Sequence, residues 1–310
     1  MADLFITAKN GNCESASSVL ALGTFDGVHI AHKRLIEEAI ALKARLSAKS
    51  AGAWCFSDSP LSYLTGKSIP CLTETEDKVN ILLSLGLDKV AVGEFKYFCD
   101  MSAEDFIEDV LKKRLNCIGV VCGFNHRYGK MGRGDAELLK KAFGEDAVVV
   151  VPEMKLDGET VSSSAIREHI QEGEIERANE LLDRPFSFTS EVVEGKKLGR
   201  RLGFPTANQF FPNGLAIPKR GIYATVCTTD VGEQYFGVSN VGVRPTIVDG
   251  SDTHIANCET YIHGFTGNIY GKRLTVSFCK YLRPEKKFDT VEALSEQIEL
   301  DLASALEYFK

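Results

Sequence analysis

The chain shows two textures of apolar patterning. In its first half, short unbroken apolar runs alternate with longer stretches in which apolar residues return every three or four positions. The runs Val19–Leu22, Ala51–Phe56, Lys89–Val92, Ile118–Cys122 and Ala147–Val151 lack the alternating polarity of a half-wet strand. They predict strands covered on both faces, as in a parallel sheet. Between them, Ile30, Leu35, Ile36, Ala39 and Leu42 predict one helix. Val79, Leu82, Leu83 and Leu85 predict a second, and Phe106, Val110 and Leu111 a third. Two short helices follow, one opening at Ser162–Ser164 and one from Glu174 to Leu182. Asp183-Arg184-Pro185 then breaks the pattern, and the domain boundary is placed there, giving residues 1–184 and 185–310.

After Pro185, β-branched and aromatic segments recur: Phe188–Val193, Ile222–Thr228, Tyr235–Val238, Glu259–Ile262 and Leu274–Phe278. Turn signals at Asp230–Gly232, Asp249–Gly250, Gly264–Gly267 and Tyr270–Gly271 separate them. This predicts an antiparallel sheet or small barrel. A terminal helix follows, with Asp289 as N-cap, Glu292 three residues on, and Val291, Leu294, Ile298, Leu302 and Leu306 as its apolar stripe. The fold class is thus α/β followed by β, an N-terminal Rossmann-like parallel-sheet domain and a C-terminal antiparallel barrel. No internal repeat is present.

Composition narrows the function. The 310 residues carry a net charge of −7 and no basic block, which argues against nonspecific binding to nucleic acid or anionic membrane. The N-terminus lacks a secretory pattern, and Val148–Val151 is too short to span a bilayer. Nine cysteines without C-x-x-C spacing read as reduced thiols of a cytoplasmic protein. Oligomeric state has no signal in the sequence.

Five segments carry candidate chemistry. Gly23-Thr24-Phe25-Asp26-Gly27-Val28-His29-Ile30-Ala31-His32 joins a strand to a helix N-terminus, a ready anion site. His29 and His32 share one face of the first turn. They can donate to phosphate oxygens; helix capping, or a metal with Asp26 as third ligand, are the alternatives. Cys122–Gly134 follows a strand with four glycines and basic side chains, reading as a loop over nucleotide or as plain surface. Ser162-Ser163-Ser164-Ala165-Ile166-Arg167 is a helix cap, or a phosphate clamp in which Arg167 donates two parallel bonds. Gly195–Asn208 repeats glycine every four residues among basic residues, as a solvated loop or a phosphate cradle with Thr206 and Asn208 as oxygen ligands to Mg²⁺. It is no Walker A loop, and the lone Gly66–Ser68 match has Leu61 where that motif needs glycine. Glu259, on a strand, is either a wet-face residue or a base for a substrate hydroxyl.

These segments resemble, in order and over nearly the whole chain, the bacterial bifunctional riboflavin kinase/FMN adenylyltransferase (FAD synthetase) family. Gly23–His32 resembles its G-x-F-D-G-x-H-x-G-H motif, Gly123–Gly134 its glycine-rich motif, and Val161–Arg167 its S-S-T-x-I-R motif. Leu202–Asn208 resembles L-G-x-P-T-A-N, Asn240–Thr246 N-x-G-x-R-P-T, and Leu282–Phe288 L-R-x-E-x-K-F. The resemblance implies phosphorylation of riboflavin by the C-terminal flavokinase-type barrel and adenylylation of FMN by the N-terminal domain, with ATP, riboflavin and FMN as small-molecule partners. It implies catalytic roles for Glu259, His29, His32 and Arg167. ATP would be held by Gly23, Phe25, Asp26, His29, His32, Asn125, Arg127, Ser163, Ser164 and Arg167 in one domain. In the other, Gly195, Lys197, Gly199, Thr206 and Asn208 would hold it. Mg²⁺ would bind Thr206 and Asn208, and flavin would meet Arg283 and Glu259. Three positions depart from the motifs. Ala31 replaces the glycine between the histidines, Ser164 replaces threonine, and Phe56-Ser57-Asp58-Ser59-Pro60 lacks the inner proline of F-x-P-x-P. Ala31 motivates one competing expectation, a riboflavin kinase with an impaired N-terminal site; a flavin- or nucleotide-sensing protein without turnover is another.

Overall fold

A computed structural model describes residues 4–9, 16–195, 203–248 and 251–310. It divides into two compact units, residues 1–163 and 164–310.

In the first unit, six strands form one sheet in the order β1-β4-β3-β2-β5-β6. The strands are β1 (Leu4–Ala8), β2 (Ser18–Leu22), β3 (Ser50–Phe56), β4 (Lys89–Gly93), β5 (Cys117–Gly123) and β6 (Val148–Val151). All neighbours pair parallel except β1, which runs antiparallel to β4 at the edge. β1 has no counterpart in the sequence reading. As an edge strand it needs only one partner, so its five residues lack the long apolar run that marks a central strand.

Successive residues of β2 feed two separate cores. Val19 and Ala21 pack beneath α1 (Ile30–Arg45) and α3 (Thr75–Ser84), with Leu35, Ile36, Leu42, Val79 and Leu82. Leu20 and Leu22 pack on the other face with Trp54, Phe106, Val110, Leu111 and Leu139. Burial of each such side chain contributes roughly 1.5–3 kcal/mol. A short α2 (Pro60–Thr65) lies between β3 and α3. The third expected helix begins as α4 (Ala103–Asp105) but continues as a π-helix over Phe106–Arg114. α5 (Ala136–Phe143) follows β5, and the ribbon β7 (Lys155–Leu156) and β8 (Glu159–Thr160) follows β6.

The second unit is built on a six-stranded, fully antiparallel sheet in the order β10-β13-β12-β11-β14-β9. Its strands are β9 (Phe186–Glu191), β10 (Thr206–Phe210), β11 (Gly221–Thr229), β12 (Gln234–Val248), β13 (Ser251–Ile262) and β14 (Arg273–Arg283). A bridge between Val193 and Asn208 draws the two outer strands together. α6 (Ser163–Glu172) and α7 (Ile175–Leu182) precede the sheet. Asn179 of α7 holds its β14–β9 edge, donating to the Phe278 carbonyl (2.8 Å) and accepting from the Phe186 amide (2.7 Å). α8 (Val291–Tyr308) packs Ala305 and Leu302 against Ile222, Ala224 and Val238. Its N-cap is Thr290, whose hydroxyl accepts from the Ala293 amide at 3.2 Å, one residue beyond the expected Asp289.

Candidate active sites

In the first unit, the chain leaves β2 through a strained turn. Phe25, Gly27 and Val28 all have positive φ, at 51°, 82° and 41°. For a β-branched valine this is costly, and such outliers cluster where a loop is held for a purpose. Three contacts over-determine the turn. Asp26 accepts the Leu72 amide at 2.7 Å and, through its carbonyl, the Ser163 hydroxyl at 2.8 Å. The buried Lys78 donates to the carbonyls of Phe56 (2.6 Å) and Thr24 (3.3 Å), tying the ends of β3 and β2 together.

The turn delivers His29 to the N-cap of α1. His29 Nδ1 accepts the His32 amide at 3.4 Å, and the two imidazoles stack with centroids 3.7 Å apart and planes 12° off parallel. With Nδ1 an acceptor, the proton of a neutral His29 resides on Nε2, which assigns the tautomer. Phe25 is fully buried, and its ring packs 5.0 Å from His32. Asp26 likewise spends its side chain on Leu72. Among the described residues no group of three His, Cys, Asp or Glu could hold a metal, and the histidine-metal alternative gains no support.

Beside the turn lies a cavity of about 430 Å³, lined in part by Gly23, His32, Asn125 and Arg127. Its walls are aromatic. Trp54 meets Phe98 and Phe106 edge-on at 5.0 and 5.4 Å, and Phe56 meets Phe95 at 5.2 Å. Such walls suit a flat, conjugated ligand. These aromatics were not found from sequence, because three separate segments contribute them and no local spacing joins them. Arg127 pairs with Asp135 at 3.3 Å on the surface side.

His126 and Tyr128 stack in the same wall at 5.8 Å, and Nε2 and Oη are both buried without a hydrogen-bond partner among the described residues. Burial pulls the His126 pKa down from 6.5 to about 4. A base with a depressed folded pKa binds fewer protons folded than unfolded. Its contribution is therefore a loss of stability as pH falls from about 6.5 towards 4. His126→Phe is expected to remove that loss, by up to about 3 kcal/mol near pH 4 at about 1.4 kcal/mol per unit. Denaturant melts at pH 7 and pH 4.5 test this; equal shifts at both values would contradict it.

α6 carries Ser164 and Arg167 one turn apart, with Arg167 Nη1 donating to Ser164 Oγ at 3.4 Å. They are described with the second unit, while Ser163 is tied to the Asp26 carbonyl in the first.

The second unit has its own cavity of about 250 Å³, lined by Thr206, Asn240, Glu259, Arg283 and apolar side chains including Ile222 and Phe288. Thr206 and Asn208 lie on strand β10 and not on a loop, facing Tyr261 and Glu259 of β13. Asn208 is buried, and its Nδ2 lies 3.3 Å from the Thr206 carbonyl and 3.4 Å from its hydroxyl. Gly195 backs it: a Cβ there would lie 2.6–2.7 Å from the Asn208 amide. Asn257 Nδ2 donates to Glu259 Oε1 at 3.2 Å, fixing the carboxylate. Arg283 closes the wall. Its Nε and Nη2 grip the buried Asp301 of α8 at 2.8 and 2.6 Å, and Gln297 adds a third bond to the same carboxylate. Lys197 and Gly199 lie outside the described residues.

Fold and cavities define the class: a two-unit enzyme, one unit with a histidine-bearing strand-to-helix turn, the other with a Thr–Asn–Glu face on an antiparallel sheet. Comparison with known proteins agrees. The family model described as FAD synthetase matches residues 12–165, and that described as riboflavin kinase matches residues 182–309. The bifunctional riboflavin kinase/FMN adenylyltransferase of Listeria monocytogenes is 35% identical over 94% of this chain and 93% of its own length. That of Bacillus subtilis is 34% identical over 96% and 94%. The chain belongs to the bifunctional riboflavin kinase/FMN adenylyltransferase family. A crystal structure titled macrolide-efflux protein from Streptococcus pneumoniae superposes with a TM-score of 0.83 at 27% identity, covering 94% of both chains. Among the described residues here, no helix is long and apolar enough to cross a membrane.

Proposed function

We propose that this chain makes FAD from riboflavin in two ATP-dependent steps. Residues 185–310 transfer the γ-phosphoryl group of ATP to the terminal hydroxyl of riboflavin, giving FMN and ADP. Residues 1–184 transfer AMP from a second ATP to the FMN phosphate, giving FAD and pyrophosphate. The observation that carries the reading is the ordered match of both family models, with relatives named for both activities aligned over more than nine-tenths of the chain. Ala31 lies inside the FAD synthetase match, so the kinase-only alternative is not favoured. A cytoplasmic setting goes with this reading.

In the kinase step, Glu259 orients the hydroxyl and takes its proton as the new P–O bond forms and the β,γ-bridging bond breaks. The transition state is loose and the proton leaves late, so a weak base suffices. Thr206 Oγ1 and Asn208 Oδ1 would hold Mg²⁺. The donor set fits, since a hydroxyl and an amide oxygen are uncharged hard donors of the kind Mg²⁺ accepts beside phosphate, and the two side chains lie within hydrogen-bond distance of each other. Bound with ATP, Mg²⁺ neutralises phosphate charge. Gly195 keeps Asn208 in place; Gly195→Ala is expected to lower kcat/KM for ATP in FMN formation by about 10- to 100-fold. Steady-state kinetics with varied ATP checks this, and an unchanged value would separate Asn208 from the nucleotide.

In the adenylyl step, an FMN phosphate oxygen attacks the α-phosphorus and the bond to pyrophosphate breaks, with no covalent enzyme intermediate. His29 and His32 offer ring N–H groups to the charge that builds there. Ser163, Ser164, Arg167, Asn125 and Arg127 are further phosphate or nucleotide contacts in this reading, and the aromatic cavity takes the flavin ring. A chromatographic time course with riboflavin, excess ATP and Mg²⁺ tests both steps. FMN that rises and gives way to FAD is expected. FMN that accumulates, even when supplied directly, would remove the second step.

A further inference from the structure

The strand register of the second unit lines up one row of side chains across five strands. Asn208 faces Glu259, Glu259 faces Asn240, Asn240 faces Ile222, and Ile222 faces Arg283. Residues directly opposite in antiparallel pairs point to the same side of a sheet. Glu259, Asn240, Ile222 and Arg283 do share one cavity. With strands about 4.8 Å apart, the row is a ruler laid along the site. It runs from an uncharged oxygen donor, through the carboxylate, to an amide and then to an aliphatic side chain.

Asn240 stands out on this ruler. Its Oδ1 is buried and has no hydrogen-bond partner among the described residues. A buried acceptor without a donor is costly, and a ligand that supplies one recovers that cost on binding. Ile222 lies one strand beyond it from Glu259, and Val238 and Phe288 add apolar surface to the same cavity. A substrate whose reacting hydroxyl sits at Glu259 and whose ring lies against Ile222 passes its connecting chain over Asn240, which stands between them in the register.

We propose that Asn240 reads the polyol chain: its Oδ1 accepts from a secondary hydroxyl of the substrate, one strand away from the terminal hydroxyl that Glu259 orients. This rests on the reading of the second unit as a riboflavin kinase. It makes the row a selector for a hydroxylated chain over an alkyl chain of equal length, a discrimination that an apolar slot alone supplies poorly.

The test compares riboflavin with 10-(5-hydroxypentyl)-7,8-dimethylisoalloxazine, which keeps the terminal hydroxyl and lacks the secondary ones. Wild type is expected to favour riboflavin in kcat/KM. Asn240→Ala is expected to lose about tenfold or more on riboflavin and less than about twofold on the analogue, with KM for ATP unchanged. Asn240→Asp keeps an acceptor oxygen and is expected to retain the preference for riboflavin; it carries the test if the alanine variant fails to fold by its thermal melt. Equal losses on both flavins, a loss confined to KM for ATP, or a wild type indifferent to the secondary hydroxyls would each overturn the proposal. A wild type that phosphorylates neither flavin would instead overturn the kinase reading beneath it.

Discussion

Glu259→Gln leaves the chain converting supplied FMN to FAD, while FMN formation from riboflavin falls by about a hundredfold or more in kcat. The two alternatives for a strand glutamate part company here. A wet-face residue tolerates an isosteric amide, whereas a proton acceptor does not. The structure narrows the choice. Glu259 lines the cavity, is held by Asn257, and has asparagines opposite it on both neighbouring strands. Glutamine keeps the volume and one oxygen, so both KM values are expected to stay within about threefold while proton transfer is lost. Steady-state kinetics of FMN formation measures the split. A kcat near wild type would return Glu259 to the wet face and leave the kinase without its base.

The second large effect is expected in the other unit. His29→Ala and His32→Ala should each lower FAD formation from supplied FMN by about 10²–10³-fold, the cost of removing one preorganised donor to developing charge, with FMN formation retained. The stacked rings are expected to act together. His29 Nδ1 is spent on the His32 amide, which leaves its Nε2–H as the donor, and the 3.7 Å stack restrains both planes. The double variant is therefore expected to lose far less than the product of the single losses. Multiplying losses, measured as pyrophosphate release with FMN and ATP, would mean two independent groups.

The strands and helices that frame both sites were legible because apolar periodicity and turn residues are signals local in sequence, even where the contacts are not. Val19–Leu22 running into Gly23 and His29 gives strand, turn and helix without knowledge of any partner. What escaped had its cause at a distance. β10 was read as part of a basic loop, since Thr206–Phe210 is recognisable as a strand only once β13 stands beside it. Phe106–Arg114 has the apolar spacing of an α-helix, and nothing in that spacing marks the wider π winding. The sequence also did not show that Phe25 is buried in the core or that Asp26 accepts the Leu72 amide, since both partners lie elsewhere in the chain. Asn240 appeared within a quoted motif but drew no comment. Only register shows it beside Glu259.

The clasp between Arg283 and Asp301 has a consequence for the order in which the protein is made. Translation supplies all six strands of the second sheet before it supplies residue 301. A chain ending between residues 284 and 300 contains every strand of the sheet and the Glu259 row, but its Arg283 has no Asp301 carboxylate to close on. The terminal helix is thus a latch: the last element to leave the ribosome supplies the carboxylate that holds the Arg283 wall of the cavity.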